Sequence, residues 1–279
     1  MPILNAVLLL CCLAAILALD AFFIEPNWLS LEIIEIPIEG LPDSFDGYRI
    51  ALLSDFHYPR AVEVDFLRKA VALANTFHPD LVALTGDFCD NNRDDPHSVP
   101  HLSGLFDGFE ALDGIVGVLG NHDHWIGADG IRKEITNHTP IRLIENQSFS
   151  IEREGHAIAI GGIGDLWEGV IDVQRTFAGL PDTMPRILLS HNPDTAEELD
   201  RAIRVDLQLS GHTHGGQVRI PFGPALKIPS RYGNKFRAGL VQGHSHRVYV
   251  TRGVCSVRHV RFWCRPEVTG IILRQAVSP

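Results

Sequence analysis

Five stretches of the chain share one plan: a short apolar run, then at once residues that carry chemistry. "YRIALLSDFH" ends in Asp55 and His57, and "DLVALTGDFCD" ends in Asp87 and Asp90. "GIVGVLGNHDH" ends in Asn121, His122 and Asp123, "RILLSHNP" in His191, and "VDLQLSGHTH" in His212 and His214. Each run has the length and the leucine or β-branched content of a buried strand. Helical stretches such as "EVDFLRKAVALANTF" and "TAEELDRAI" lie between them. Strands alternating with helices predict an α/β domain with largely parallel strands. "HAIAIGGIG", "HRVYVTRG", "RHVRFWC" and "TGIILRQA" read as further strands.

Open α/β sheets hold ligands at the carboxyl ends of their strands, which is where these polar residues fall. In an extended chain residues two apart point the same way. Asp55 and His57 are therefore expected to share a direction, as are His212 and His214. Glycines beside the second pair leave room for a tight backbone and a ligand. A lone His or Asp after a strand is usually a hydrogen-bonded structural residue or a helix cap. Five such coincidences at five strand ends make that bland reading inadequate.

Carboxylate, amide and imidazole together, with no thiolate, suit first-row divalent ions such as Mn²⁺, Fe²⁺ or Zn²⁺. Asp55, His57, Asp87, Asn121, His191, His212 and His214 are too many ligands for one tetrahedral zinc. They suit two ions sharing a carboxylate, about 3.5–4 Å apart. With two divalent ions, two carboxylates and a bridging hydroxide the centre stays positive, fit for a phosphate oxygen. "GHSH", Gly243 to His246, precedes a strand instead of following one, so it is expected at the opposite edge, in a hairpin turn. His78, His97, His101, His138, His156 and His259 lack the strand-end context and are read as ordinary.

The five cysteines form no C-x-x-C pair, so neither a disulfide framework nor a zinc ribbon is indicated. "ILNAVLLLCCLAAILAL", Ile3 to Leu19, is apolar except for Asn5 and approaches the roughly 20 residues that span a bilayer. No basic residue precedes it and "LALDA" is a poor cleavage site, so it reads as an uncleaved anchor in preference to a signal peptide. Trp28 then stands where an interfacial aromatic belongs. The expected organisation is an anchor over 1–24, a linker and first strand over 25–46, and a catalytic domain over 47–279.

The chain has 24 Lys and Arg against 34 Asp and Glu, a net −10. From Leu207 onward there are 11 basic residues and one acid, Glu267, leaving +10 there and −20 before it. Such asymmetry suggests that one part meets an anion: substrate phosphate, nucleic acid or lipid headgroups. The loop "IPFGPALKIPSRYGNKFR", Ile220 to Arg237, mixes Phe222, Leu226, Ile228 and Tyr232 with Lys227, Arg231, Lys235 and Arg237. It reads equally as a lipid-facing loop and as a proline-rich surface loop whose apolar residues pack on the core.

D-x-H, G-D-x-x-D, G-N-H-D, a lone H and G-H-x-H, in this order from Arg49 to about Val218, resemble the calcineurin-like metallophosphoesterase superfamily. The resemblance implies a two-sheet β-sandwich flanked by helices. It implies a first metal on Asp55, His57, Asp87 and His214, and a second on Asp87, Asn121, His191 and His212. It further implies metal-polarised phosphoryl oxygens and in-line attack by a bridging water. His122 would then be no ligand but would face the phosphate, with Asp90 as its orienting partner and Asp123 as the rival for that role. "GGQVRIP", "TRG", "RF" and "PE" resemble the membrane-anchored bacterial phosphohydrolase branch. That branch includes UDP-2,3-diacylglucosamine pyrophosphatases and less defined phosphodiesterases. The phosphoprotein phosphatases of the superfamily carry Arg where this chain has Asn91, which favours diester or anhydride cleavage over protein dephosphorylation. His124 stands where the branch more often has an aromatic, and Cys89, between the two motif aspartates, reads as a packed small residue.

The expected partners are a phosphate-containing small molecule, such as a glycolipid nucleotide, and a membrane held through the N-terminal helix in a bacterial cell membrane. A broad-specificity phosphodiesterase, a phosphatase or a nuclease is the alternative. The anchor and the overall acidity speak against nucleic acid. A degenerate binding module is disfavoured because every ligand position is intact. No Lys or Arg precedes Arg49, which leans towards an external domain, whereas a UDP-sugar is met in the cytoplasm. The sequence leaves the side of the membrane open.

Overall fold

The computed structural model describes residues 2–90 and 98–276. The alternation inside the apolar runs builds two sheets packed face to face. Strands β1 (Ser30–Ile38), β2 (Arg49–Leu53), β3 (Leu81–Leu84), β4 (Ile115–Gly117), β5 (Ile141–Leu143) and β12 (Glu267–Gln275) form one, in the order β1-β12-β2-β3-β4-β5. Strands β6 (Gln147–Arg153), β7 (His156–Gly162), β8 (Arg186–Leu189), β9 (Leu207–Ser210), β10 (Gly239–Gln242) and β11 (Arg247–Val250) form the other, in the order β10-β11-β9-β8-β7-β6.

Ile50, Leu52, Leu81 and Ala83 of the first sheet meet Ile187, Leu189, Leu207 and Leu209 of the second in one buried core. The alternate residues Ala51, Leu53, Val82 and Leu84 face outward onto Leu67, Ala70 and Ala74 of α2 (Val64–Thr76) and Ile126, Ile131 and Ile135 of α3 (Asn121–His138), which is broken by a kink at Gly127. Burial on both faces explains why the central strands read as unbroken apolar runs. On the outer side of the second sheet lie the one-turn helices α4 (Val173–Thr176) and α5 (Thr195–Glu198).

The strands β2 to β5 are mutually parallel, as are β7, β8, β9 and β11, so their carboxyl ends gather at one edge of the sandwich. Strand β12 runs antiparallel to β2 and parallel to β1, with Leu52, Thr269 and Glu32 in register. The amino end of β1 therefore lies at that same edge. Just before it comes α1 (Pro2–Leu19), which has no buried residue and continues through a π turn (Asp20–Ile24) into a 3₁₀ turn (Glu25–Asn27). At about 1.5 Å per residue α1 rises about 27 Å, close to the thickness of a hydrocarbon core. It is long and apolar enough to cross a membrane.

Two expectations need correction. "RHVRFWC" is no strand: Arg258, His259 and Trp263 have φ of 66°, 49° and 58°, and the segment holds a 3₁₀ turn (Val257–His259) and a single bridge from Phe262 to Val218. The chain coils there around the buried Arg261, whose guanidinium donates to carbonyls on several sides. "TAEELDRAI" gives one helical turn only. Leu199 leaves the helix with ψ 145°, and the Asp200 carboxylate accepts from Ala202 N–H, an Asx-type alternative to helical bonding.

Candidate active site

The loop after β2 is laid on the loop after β3. Asp55 N–H donates to the Gly86 carbonyl, and Phe56 and His57 N–H both donate to the Asp87 carbonyl, at 2.8–3.0 Å. The side chains do not converge by extended alternation as expected. Asp55, His57, Asp87, His212 and His214 all adopt positive φ, between 47° and 67°. Non-glycine residues rarely take this conformation, and its strain gathers at functional sites. Tight left-handed turns past the strand ends are what fold both members of each pair into one pocket.

There the polar atoms form two groups. Around Asp55, the His214 Nε2 is 3.4 Å from Oδ1, and the His57 Nε2 is 3.2 Å from His214 Nε2 and 3.4 Å from Asp87 Oδ2. Around His191, the Nε2 is 3.2 Å from Asp87 Oδ2, from Asn121 Oδ1 and from His212 Nδ1. A single oxygen, Asp87 Oδ2, thus faces both groups. The other, Oδ1, accepts from His122 N–H in the first turn of α3 at 2.9 Å, where the helix dipole favours negative charge. Adjacent ligands of an ion bound at about 2.1 Å stand about 3 Å apart, so the spacings match two cation sites. So many imidazole, amide and carboxylate donor atoms facing one another at 3.2–3.4 Å fit cation binding.

Supporting contacts fix the donors. His191 Nδ1–H donates to the Thr85 carbonyl at 2.6 Å, which turns Nε2 towards Asp87 and Asn121. His212 N–H donates to both oxygens of Asp55 at 3.1 Å. Glycines make these approaches possible: a Cβ on Gly120 would lie 2.2 Å from Asp87 Oδ1, and one on Gly211 would lie 2.4 Å from Asp55 Oδ2.

Electrostatics divides the groups by role. Burial opposes ionisation of Asp87, but His191, His57 and His122 outweigh it and hold the carboxyl well below its ordinary range. Burial likewise opposes charge on His191, yet Asp87, Asp55 and Asp165 push it up to about 10. Burial, reinforced by neighbouring cations, pulls His212 down to about 3 and His214 well below its ordinary value. His122 stands apart, its side chain a quarter exposed, with Nδ1 3.2 Å from Asp90 Oδ1. Burial lowers its pKa, but the bond to Asp90 and the charges of Asp87 and Asp90 raise it on balance.

A profile of the calcineurin-like phosphoesterase family matches residues 48–216, which contain all of these side chains. The chain belongs to the calcineurin-like phosphoesterase family. It is a hydrolase, and the family works through a dinuclear metal site. The metallophosphoesterase YkuE of Bacillus subtilis is 33% identical over 261 residues, covering 91% of this chain and 88% of that one. Phosphodiesterase YaeI of Escherichia coli is 31% identical over 264 residues, covering 88% and 89%. The UDP-2,3-diacylglucosamine pyrophosphatase LpxG of Chlamydia muridarum is 26% identical over 300 residues, covering 88% and 89%.

Around this phosphoesterase centre the remaining candidates find their places. Asp123 is not the partner of His122. It is buried and accepts from the N–H groups of Gly120, Cys89 and Phe88 at 2.9–3.3 Å, tying the β3 loop to the start of α3. Burial and the charge of Asp87 raise it to about 7. Cys89 is buried, and burial pushes its thiol well up. His124 lines a separate cleft with Arg132, Glu145 and Glu168. His246 lies in the β10–β11 turn and donates to Gln208 Oε1 at 2.7 Å, while His244 meets Arg201. Asn91 and His97 lie outside the described residues.

Several neighbours of the site carried no signal in the sequence. Trp125 packs 4.5 Å from the His122 ring and Trp167 4.4 Å from the His212 ring, and Trp125 Nε1–H donates to Glu168. Cys255 brings its Sγ within 4.8 Å of His57 and His214 donor atoms. Arg261, fully buried, donates to the carbonyls of His214, Cys264 and Arg252. The Ile220–Arg237 loop divides: Phe236 is buried, Arg231 and Lys235 pair with Glu198 and Glu197 of α5, and Arg237 donates to the Gly223 carbonyl, while Phe222 is 96% exposed.

Proposed function

We propose that the chain is a dinuclear-metal hydrolase of phosphodiesters or phosphoanhydrides that acts on a lipid-linked substrate at a membrane. One observation carries the chemistry: Asp87 Oδ2 faces both donor groups, 3.4 Å from His57 Nε2 and 3.2 Å from His191 Nε2. Asp55, His57, Asp87 and His214 would hold one ion, and Asp87, Asn121, His191 and His212 the other. The mixture of carboxylate, amide and imidazole suits Mn²⁺, Fe²⁺ or Zn²⁺. When bound, two such ions supply Lewis acidity to a phosphoryl group and acidify water at neutral pH.

The chain's own residues supply the rest. Asp90 holds His122 through Nδ1 and favours its protonated form, so that Nε2–H would give its proton to the departing oxygen. The helix start at Asn121 and the glycine cradle at Gly120 fix Asp87 so that no reorganisation is needed at reaction. Asn91, where phosphoprotein phosphatases of the superfamily have Arg, supports a diester or anhydride over a phosphoprotein.

Two observations favour a substrate in the membrane. The anchor-like α1 joins the domain at the edge that carries the donor groups. A relative matched over most of both chains is named for a pyrophosphatase acting on a diacylated UDP-sugar. The domain thus reads as a single-pass anchor over 1–24, a linker and first strand over 25–46, and a catalytic domain over 47–279. The test is hydrolysis by the full chain, loaded with Mn²⁺ in nanodiscs. Substrates are UDP-2,3-diacylglucosamine, bis-p-nitrophenyl phosphate, p-nitrophenyl phosphate and single-stranded DNA. Metal-dependent release of UMP together with diester turnover is expected. Turnover of the monoester or DNA alone would replace this reading.

A further inference from the structure

We infer that the corner formed by Trp28, Trp263, Phe222 and Arg265 is a docking face, seated in the headgroup layer of the bilayer that α1 enters. The inference rests on α1 crossing that bilayer. Its evidence is separate and lies in the folded domain.

The end of the helix is bolted to the domain. Arg261 N–H donates to the Ala21 carbonyl at 2.9 Å. The Glu25 carboxylate is buried and accepts from Trp263 N–H at 2.7 Å and from Cys264 N–H. The residues just after the apolar run therefore stand beside the 257–264 loop as one unit. Asp20, Glu25, Trp28, Trp263 and Arg265 line a single cleft of about 380 Å³ there. Asp20 is the first charge after the apolar run, so the rim of this cleft lies where the hydrocarbon ends.

The side chains on that rim have the chemistry of a membrane interface. Trp28 and Trp263 are half exposed, and Phe222 packs against Trp263 with ring centroids 5.3 Å apart. Phe22, Phe23 and Ile24 continue the apolar surface onto the helix. Arg265 stacks its guanidinium 3.4 Å from the centre of the Trp28 ring and makes no ion pair among the described residues. Aromatic rings with a polar edge concentrate at headgroup level, and an arginine beside them reaches lipid phosphate while its stem stays in apolar surroundings. Exposed aromatic residues of a folded domain that adjoin its own membrane helix are covered most simply by that membrane. Of the basic residues of the 220–237 loop, Arg231 and Lys235 are instead paired with α5, and Arg237 donates to the Gly223 carbonyl.

The docking face is also joined to the reaction centre. On either side of Trp263, Arg261 Nη1 and Cys264 Sγ both donate to the His214 carbonyl, at 3.3 and 3.5 Å. Cys255 N–H and the Asp55 carbonyl continue the link at 3.2 Å. A bilayer that holds Trp263 thereby holds the donor groups at fixed height, within reach of a phosphate borne by an amphiphile.

The experiment places an environment-sensitive nitrobenzoxadiazole on the full chain in nanodiscs, with Cys11→Ala and Cys12→Ala. One version carries the probe at Phe222→Cys and the other at Leu112→Cys. Leu112 is 80% exposed but lies before the start of β4, at the edge opposite the donor groups. The probe at 222 should shift to the blue, resist aqueous iodide, and be quenched by a shallow nitroxide lipid severalfold more than the probe at 112. If iodide quenches both alike and the lipid neither, while the chain resists alkaline carbonate extraction, the docking face is wrong and the anchor stands. If carbonate releases the chain, both fall. Phe222→Ser, at a side chain that is 96% exposed and stacks on Trp263 and on no donor residue, should raise the KM for a lipid-borne substrate severalfold and leave hydrolysis of bis-p-nitrophenyl phosphate unchanged. Equal KM values for the lipid substrate would also overturn the docking face.

Discussion

Asp90→Asn keeps the shape of the side chain and removes its charge, and so tests what that charge does for His122. The two meet at 3.2 Å, and Arg60 Nη1 lies 3.6 Å from the other oxygen. Burial depresses the pKa of His122, and its bond to Asp90 with the charges of Asp87 and Asp90 raises it. A raised pKa means that the protonated form persists above the ordinary histidine value and is lost as pH climbs through the raised one. If His122 must donate a proton, the rate falls along that alkaline limb. Two unit charges 4 Å apart interact by about 4 kcal/mol at an effective dielectric constant of about 20. The partial exposure of His122 and the remaining charge of Asp87 reduce what is lost. Contact with an opposite charge typically moves a pKa by about 1–3 units. The low end applies here, so the alkaline limb should move about 1 unit towards acid, about 1.4 kcal/mol. The assay is the pH profile of kcat on an alkyl phosphodiester at saturating Mn²⁺. Metal content is measured alongside, because Asp90 Oδ2 also lies 3.7 Å from His57 Nδ1. An unmoved limb with full metal occupancy would refute the acid role of His122. A p-nitrophenyl diester, whose leaving group needs no proton, should show a smaller defect.

Gly120→Ala should lose metal by elemental analysis, since the new Cβ would stand 2.2 Å from Asp87 Oδ1, and normal content would contradict the cradle. His246→Ala should keep metal and activity but melt earlier, by the about 1–3 kcal/mol that an unpaired buried Gln208 oxygen costs, and metal loss would move "GHSH" into the site. His191 is held protonated up to about 10, whereas a ligating imidazole is neutral, so metal binding should expel protons and tighten as pH rises. Calorimetric enthalpies identical in buffers of different ionisation heat would show that no proton leaves.

The sheet edge was legible because each central strand is apolar on both faces and stops where polar residues begin, as at Leu53 before Asp55 and at Leu84 before Asp87. Spacing alone misjudged how the side chains converge. Alternation in an extended strand was expected to align His212 with His214, but both sit in left-handed turns beyond β9. Hydrophobic patterning carries no signal for such turns in non-glycine residues. The same blindness turned "RHVRFWC" into a strand, since a buried arginine that coils the chain around itself looks like any polar residue between apolar ones. Glu25 and Trp263 could not be paired from sequence, because 238 residues separate the carboxylate from the N–H it accepts. The basic C-terminal part promised an anion-binding surface, yet Arg231, Lys235 and Arg252 are spent on Glu198, Glu197 and Glu267.

The central claim is that one carboxylate serves two ions. Elemental analysis of the purified full chain, and of Asp87→Asn at matched concentration, tests it most directly. Two ions per chain are predicted for the native protein, with most of the metal gone from both sites in the variant. Two tightly bound ions surviving in Asp87→Asn, or a single ion in the native chain, would contradict it.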